Sequence, residues 1–436
     1  MPPARPSIED RLAAAGLPPL PRTAWLELDL DALRANLAIA RELAGPGVLV
    51  EPVVKADAYG HGMIPIAGAL VGAGADGLCV ATLDEAIALR AAGVRGRITV
   101  LYPIPPALAR AAAANGIAVA AGDTELLAGL LETIGSAPAF TALEGELEVE
   151  LEIETGLGRG GVPLEGAVDA ARAIAAAPRA RLSGIWTHMQ AVEDRSRTSA
   201  QVERFEATSS AIARAGVDVP RRHVAASAGL LTNSIPVYDA VRPGLMTYGL
   251  PPDELPASSL HPAAARLRPV MSIVARPVRV ADLPAGHGIS YGPTFETGRP
   301  SRIATLPLGY GDGWPRSLSN RAEALVRGVR APLVGNVAMD ACMVDVTDVP
   351  GPPVGVEDEF VLLGAQGGDR ITAADLARAR TTNSWEVVTS AAGRLPRVYD
   401  AAAGALDVRT LLPAEDPWLA SNSGTETSAI SRSTPS

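Results

Sequence analysis

Between about residues 48 and 250, short β-branched or apolar runs alternate with alanine-rich amphipathic stretches, and eight strand candidates can be counted. They are VLVEPVV (48–54), GLCVAT (77–82), ITVLY (98–102), IAVAAG (117–122), ELEVELEIE (146–154), SGIWTH (183–188), HVAAS (223–227) and AVRPGLMTYG (240–249). Between them lie helix candidates such as LDEAIALRAAG and AQVERFEATSSAIARAG, apolar at 3.6-residue spacing and closed by glycine. Successive strands joined through helices pair in parallel and are covered on both faces. Eight such units predict a (β/α)8 barrel, with an open doubly wound sheet as the alternative.

After about residue 265 the texture changes to short strand-like runs with Gly and Pro turns: PVMSIVARPVRV, SRIATLPLGYG, APLVGNVAMDACMVDVT and DEFVLLGAQ. The reading is therefore an α/β chain, a TIM-type barrel followed by a mainly β C-terminal domain. The expected boundaries are a lead segment 1–23, the barrel 24–264, the β domain 265–412 and a disordered Ser/Thr-rich tail 413–436. The early run AWLELDLDALRANLAIAREL reads as a strand followed by a helix, and its strand, 24–30, is a candidate to join the β domain.

A length of 436 residues suits two such units. The net charge is −10 with the signs interspersed, which offers no footprint for nucleic acid. No run of about 18 uncharged apolar residues indicates a membrane span, and no basic leader precedes an apolar segment. Cys79 and Cys342 make neither a metal spacing nor a disulfide framework. A cytoplasmic protein with a small-molecule partner and no metal is expected, its two cysteines serving as buried apolar residues.

Lys55, in EPVVKADAYGHG, is the sole lysine of the chain and ends the first barrel strand, at the edge where barrel enzymes place catalytic groups. Its amine can lose a proton and condense with an aldehyde, which guanidinium does not do.

The stretch VVKADAYGHG resembles the pyridoxal phosphate (PLP) lysine motif of the alanine racemase family. In family order follow IETGLGRGG, GIWTHM, HVAASA, VRPGLMTYG, GISYGPTF, GYGDGW, NVAMDA and RLPRVY, across roughly residues 24–400. The resemblance implies the same barrel and β domain, with PLP carried on Lys55 and racemisation by two bases. Lys55 would serve one face of the substrate, and Tyr291 of the partner subunit in a homodimer with shared sites would serve the other. It further implies that Arg242 faces the pyridine nitrogen, that His188 lies beside the cofactor ring and that His223 positions the arginine. Tyr59, Ser227, Gly244 and Leu245 match phosphate contacts. Arg159, Met339 and Tyr310 match substrate contacts, with Asp340 beside them.

Some positions depart from the family pattern. Glu152 stands where many members carry a carbamylated lysine seven residues before the arginine, and its carboxylate can orient Arg159 in the same way. Ala226 replaces a common asparagine, Trp385 a phosphate-binding tyrosine, and the family's CMDQ reads AMDA, with Ala338 and Ala341 on either side of Met339 and Asp340. GLGRGG is formally G-x-G-x-x-G, but the next strand ends in WTHMQ rather than an acidic residue, which argues against a dinucleotide site. The expected function is conversion of L-alanine to D-alanine, a peptidoglycan precursor. The alternatives are a racemase for serine or another amino acid, or a PLP-binding homologue without turnover.

Overall fold

The computed structural model describes residues 6–136, 145–402 and 404–412. The expected tail at 413–436 and the first five residues lie outside these.

Strand β1 (Ala24–Asp29) opens the chain's main architecture, and eight strands then form one parallel sheet. They are β2 (Leu49–Val50), β3 (Gly77–Val80), β4 (Arg97–Val100), β5 (Ala118–Ala121), β6 (Leu147–Glu152), β7 (Ala180–Trp186), β8 (Arg222–Ala226) and β9 (Ala240–Arg242). Their order, β2-β9-β8-β7-β6-β5-β4-β3, brings the ends together. The sheet closes there through the Val53–Cys79 bridge and the flanking bonds from Cys79 N to Pro52 O, 2.9 Å, and Val54 N to Cys79 O, 2.8 Å. The arrangement is a nearly closed barrel, not an open doubly wound sheet.

Several helices start where side chains satisfy their first amides. Thr82 and Glu85 form a capping box for Leu83–Ala91. Asp123 caps Thr124–Gly135, and Asp194 caps Arg195–Arg214, which begins before the expected AQVERF run.

The barrel's floor is ionic where such layers are usually aliphatic. A (β/α)8 interior is built of layers of four side chains from alternate strands, and here one layer consists of Glu51, Arg97, Glu150 and Arg221. Arg221 meets Glu51, and also Glu150 at 3.1 Å; Arg97 meets Glu150, and also Glu148 at 2.7 Å. Two carboxylates and two guanidiniums balance, which is what allows Glu51 and Glu150 to be buried. Of the alternating glutamates of ELEVELEIE, Glu150 and Glu152 are thus buried.

All eight expected strands end sooner, and three of the differences reshape the site. Only Leu49–Val50 of 48–54 is strand; Ser227 begins a helix, Ser227–Thr232; and 240–249 stops at Arg242 and turns into a 3-10 helix, Leu245–Tyr248. Pro243 supplies no N–H to a ladder, so pairing ends there.

The second unit is mainly β. It contains β10 (Met271–Ala275), β11 (Arg279–Leu283), β12 (Ser301–Leu306), β13 (Glu323–Val326), β14 (Val329–Pro332), β15 (Cys342–Asp345), β16 (Phe360–Gln366), β17 (Asp369–Ile371), β18 (Arg397–Ala401) and β19 (Gly404–Arg409), with two helices, Ala373–Arg380 and Ser384–Thr389. One sheet runs β14-β13-β16-β10-β1-β18-β19 with β17 on β16; β11-β12-β15 form another. Strand β1 sits inside the first, antiparallel to β10 and parallel to β18. Both cysteines are free and buried. Among the described residues no helix is long and apolar enough to cross a membrane.

Candidate active site

Lys55 follows the Val53 bridge and opens a short helical turn, Lys55–Tyr59, that winds the left-handed way. Ala56, Asp57, Ala58 and Tyr59 have φ of 53°, 54°, 56° and 53°. Each such non-glycine residue costs about 1–2 kcal/mol, so the turn exists because its surroundings hold it. Ala56 N donates to Glu85 Oε1 at 2.6 Å, and Asp57 receives two bonds from Arg409 at 2.8 and 2.9 Å. Arg397, fully buried, donates to Gly60 O at 3.1 and 2.9 Å, and Tyr399 Oη donates to His61 O at 3.0 Å. The RLPRVY motif therefore braces the lysine's turn from the β domain.

Lys55 lines a cavity of about 560 Å3 over the carboxyl ends of the barrel strands, with Tyr59, Arg159, His188, Ser227, Arg242, Gly244, Leu245, Trp385 and Ala226 also on its wall. Burial, and after it the Arg159 charge, lowers the Lys55 amine below the usual lysine range. Burial and the charges of Arg242, Arg159 and Lys55 push His188 down to about 3, so it is a neutral imidazole at pH 7.

At one end of the cavity Ser227 Oγ accepts from the amides of Gly244, 2.9 Å, and Met246, 3.2 Å. A Cβ added to Gly244 would meet Tyr59 Oη at 2.7 Å, so a side chain there would fill the space the tyrosine hydroxyl occupies. Hydroxyls of Tyr59 and Ser227 and the first turns of two short helices converge here, a donor set suited to an anion.

At the base lies Arg242, 2% exposed. It donates to His223 Nδ1 at 2.5 Å, His223 O at 3.0 Å and Thr187 O at 3.0 Å, and its guanidinium stacks 4.8 Å from the Trp186 ring. His223 Nε2 lies 2.9 Å from Glu150 Oε2.

Glu152 and Arg159 sit together at the wall, Arg159 Nη2 4.0 Å from Glu152 Oε1. Burial raises the Glu152 carboxyl to about 7 despite the nearby Arg159 and Arg242 charges. The glycines of GLGRGG shape this loop: Gly161, φ 110°, leaves no room for a side chain, since a Cβ would lie 2.5 Å from Glu154 N. Tyr102, absent from the sequence-based candidates, is 5.5 Å from the Arg159 guanidinium and 6.0 Å from Lys55 Nζ.

Tyr291, Tyr310, Met339 and Asp340 are not on this wall. Tyr291 is 78% exposed, Met339 54% and Tyr310 45%. The structure brings them together with one another instead, on the β domain. Asn336 Nδ2 donates to Tyr291 O at 2.9 Å, Tyr310 N to Ala338 O at 3.0 Å, and Arg394 Nη2 to Asp340 at 2.6 Å. Ala338 and Ala341 belong to the same loop, joined by Ala338 N to Ala341 O at 2.8 Å.

The sequence-based candidates did not include Glu150. Its signal was the alternation of glutamates in a strand that a barrel must bury on both faces, which demands internal cations.

Residues 28–252 match the N-terminal domain of alanine racemase and residues 270–399 its C-terminal domain. The chain belongs to the alanine racemase family. A relative from Symbiobacterium thermophilum named alanine racemase is 41% identical over 384 residues, covering 87% of this chain and 97% of the relative. The alanine racemase of Bacillus anthracis, solved with bound L-Ala-P, is 32% identical with a TM-score of 0.82, covering 89% of this chain and 98% of that one. A histidine racemase from Leuconostoc mesenteroides is also similar, at 28% identity and a TM-score of 0.77, covering 88% and 99%.

Proposed function

We propose that the protein is a pyridoxal phosphate-dependent alanine racemase, an amino-acid isomerase interconverting L- and D-alanine. The observation that carries this is the convergence of the chain's sole lysine, an anion cradle and a buried arginine on one cavity wall.

The residues fit the cofactor. Tyr59, Ser227 and the amides around Gly244 and Leu245 would hold its phosphate, with Trp385 adjacent. Lys55 would bind its aldehyde carbon, His188 would flank its ring, and Arg242 would face its nitrogen. Bound pyridoxal phosphate supplies an electron sink that makes the amino acid's α-proton removable. The lowered basicity of Lys55 leaves more of its amine neutral and able to take that proton on one face. Arg159, steadied by Glu152, would hold the substrate carboxylate.

Racemisation needs a second base on the opposite face. The exposed patch of Tyr291, Tyr310 and Met339 on the β domain supplies it if two chains pair, so that Tyr291 of the partner subunit completes the site. The working form in this reading is a cytoplasmic homodimer making D-alanine for peptidoglycan. Trp385 narrows the pocket towards small substrates, whereas Ala226 widens it. A chiral assay of the purified protein against a panel of L-amino acids, with and without added cofactor, tests the reading. Cofactor-dependent formation of D-alanine well above D-serine or D-histidine is expected; no racemisation of any would overturn it.

A further inference from the structure

We propose that Glu150 is a positioning residue for Arg242, acting through His223. The inference rests on the reading that Arg242 faces the cofactor's ring, and it concerns what fixes that arginine in place.

The argument is one of donors and acceptors. An arginine N–H only donates, so the ring nitrogen facing it, His223 Nδ1 at 2.5 Å from Arg242, must carry a lone pair. A carboxylate only accepts, so Nε2, 2.9 Å from Glu150 Oε2, must carry the proton. Arg221 Nη2 approaches Nε2 only to 3.5 Å and cannot reverse this assignment. His223 is fully buried and stacked 6.0 Å from Trp186, and both its ring nitrogens face protein groups that set its tautomer. Glu150 makes the choice. In the other tautomer two N–H groups would oppose each other at the Arg242 contact, and the guanidinium would have to leave its place over Trp186.

Glu150 is itself fixed. Its Oε1 receives Arg221 at 3.1 Å, Ser183 Oγ at 3.1 Å and Arg97, leaving Oε2 for His223. Burial works against its charge, but the His223 contact and the Arg221 and Arg97 guanidiniums hold the carboxyl down, at about 2. The ionic layer of the barrel floor thus has an outlet: one carboxylate oxygen leads through an imidazole to the arginine at the base of the cavity.

The chain has five histidines, so ring nitrogens labelled with 15N can be resolved and assigned by a His223→Gln control. In the wild-type protein, with and without cofactor, the His223 ring should show a protonated Nε2 and a bare Nδ1 from pH 6 to 9. In Glu150→Gln the amide can present either its oxygen or its NH2, so a mixture of tautomers is expected. With it should come a loss on the order of ten- to a hundredfold in kcat, as is usual when a group that orients a functional residue is removed. KM for alanine should stay put, because Arg242 lies at the cofactor. A protonated Nδ1 in the wild-type ring overturns the proposal, as does a Glu150→Gln variant with a single Nε2–H tautomer and undiminished kcat. If Glu150→Gln does not fold, the wild-type spectrum alone decides. Failure of the protein to bind pyridoxal phosphate would defeat the functional reading, and the cofactor-free spectrum would still test the Glu150–His223 contact.

Discussion

Lys55 is the only side-chain amine in the sequence, which makes its role unusually simple to test. Borohydride reduction of the cofactor-saturated protein should fix pyridoxal phosphate to the peptide containing Lys55, and Lys55→Ala should be colourless and inactive; an adduct mapped to Met1, or none at all, would remove the lysine from its assigned place. Glu152 provides a pH signature. Its carboxyl is raised from the ordinary 4.5 to about 7, so the protonated form is the one the fold prefers. Its contribution to stability is therefore complete below about pH 4.5 and lost as pH rises through 7, a change of at most about 3 kcal/mol. In cofactor-free protein, the melting temperature of Glu152→Gln should gain on the wild type between pH 5 and 8. The ionised form steadies Arg159, so wild-type KM for alanine should rise as pH falls through 7, with a flatter profile in Glu152→Gln. A constant gap in melting temperature across that range would show that Glu152 does not titrate there.

In the proposed reading the end of β9 and the turn after it help to form the phosphate cradle, and Gly244 is its most sensitive position. With a Cβ 2.7 Å from Tyr59 Oη, Gly244→Ala must displace a buried tyrosine. The expected result is at least a tenfold loss in pyridoxal phosphate affinity, about 1.4 kcal/mol, measured by fluorescence titration; unchanged affinity would place the phosphate elsewhere. That Ser227, Gly244 and Leu245 share one cavity wall was legible in the sequence through the family resemblance, although AVRPGLMTYG was read as one strand. Apolar runs such as GLCVAT and IAVAAG announce buried parallel strands directly, and LDEAIALRAAG was read from its true start, whereas the Asp194 cap was passed over and that helix opens at Arg195. The left-handed turn at Ala56–Tyr59 could not be read in the same way. Alanine has no preference for that conformation, and the turn is imposed by Arg397, Tyr399 and Arg409 from more than three hundred residues away. The ionic layer escaped for the same reason: Glu150 and Arg221 are 71 residues apart, and only closure of the barrel makes them neighbours.

At the scale of the whole molecule, the Lys55 cavity and the Tyr291 patch belong to different units, and the proposed homodimer joins them. Lys55→Ala and Tyr291→Phe should each be inactive. Mixed under conditions that exchange subunits, they should recover about a quarter of wild-type activity, since half of randomly paired dimers are mixed and each mixed dimer carries one intact site. No recovery despite proven exchange would mean that each site is built within one chain. The larger sheet of the β domain, which takes in β1, has another consequence, in the order of synthesis. Strand β1 leaves the ribosome first, yet its neighbours β10 and β18 come from the second half of the chain. The bond from Ala402 N to Asp31, just beyond these strands, spans 371 residues. With roughly 5–20 residues added per second, an apolar strand ending in Asp29 waits on the order of twenty seconds to a minute for its last partner. Over that interval the barrel can close, but the brace on the lysine's turn cannot form until Arg397, Tyr399 and Arg409 emerge. A nascent chain stopped before residue 397 should therefore capture cofactor poorly, and emergence of residues 397–409 is the step that completes the brace on Lys55.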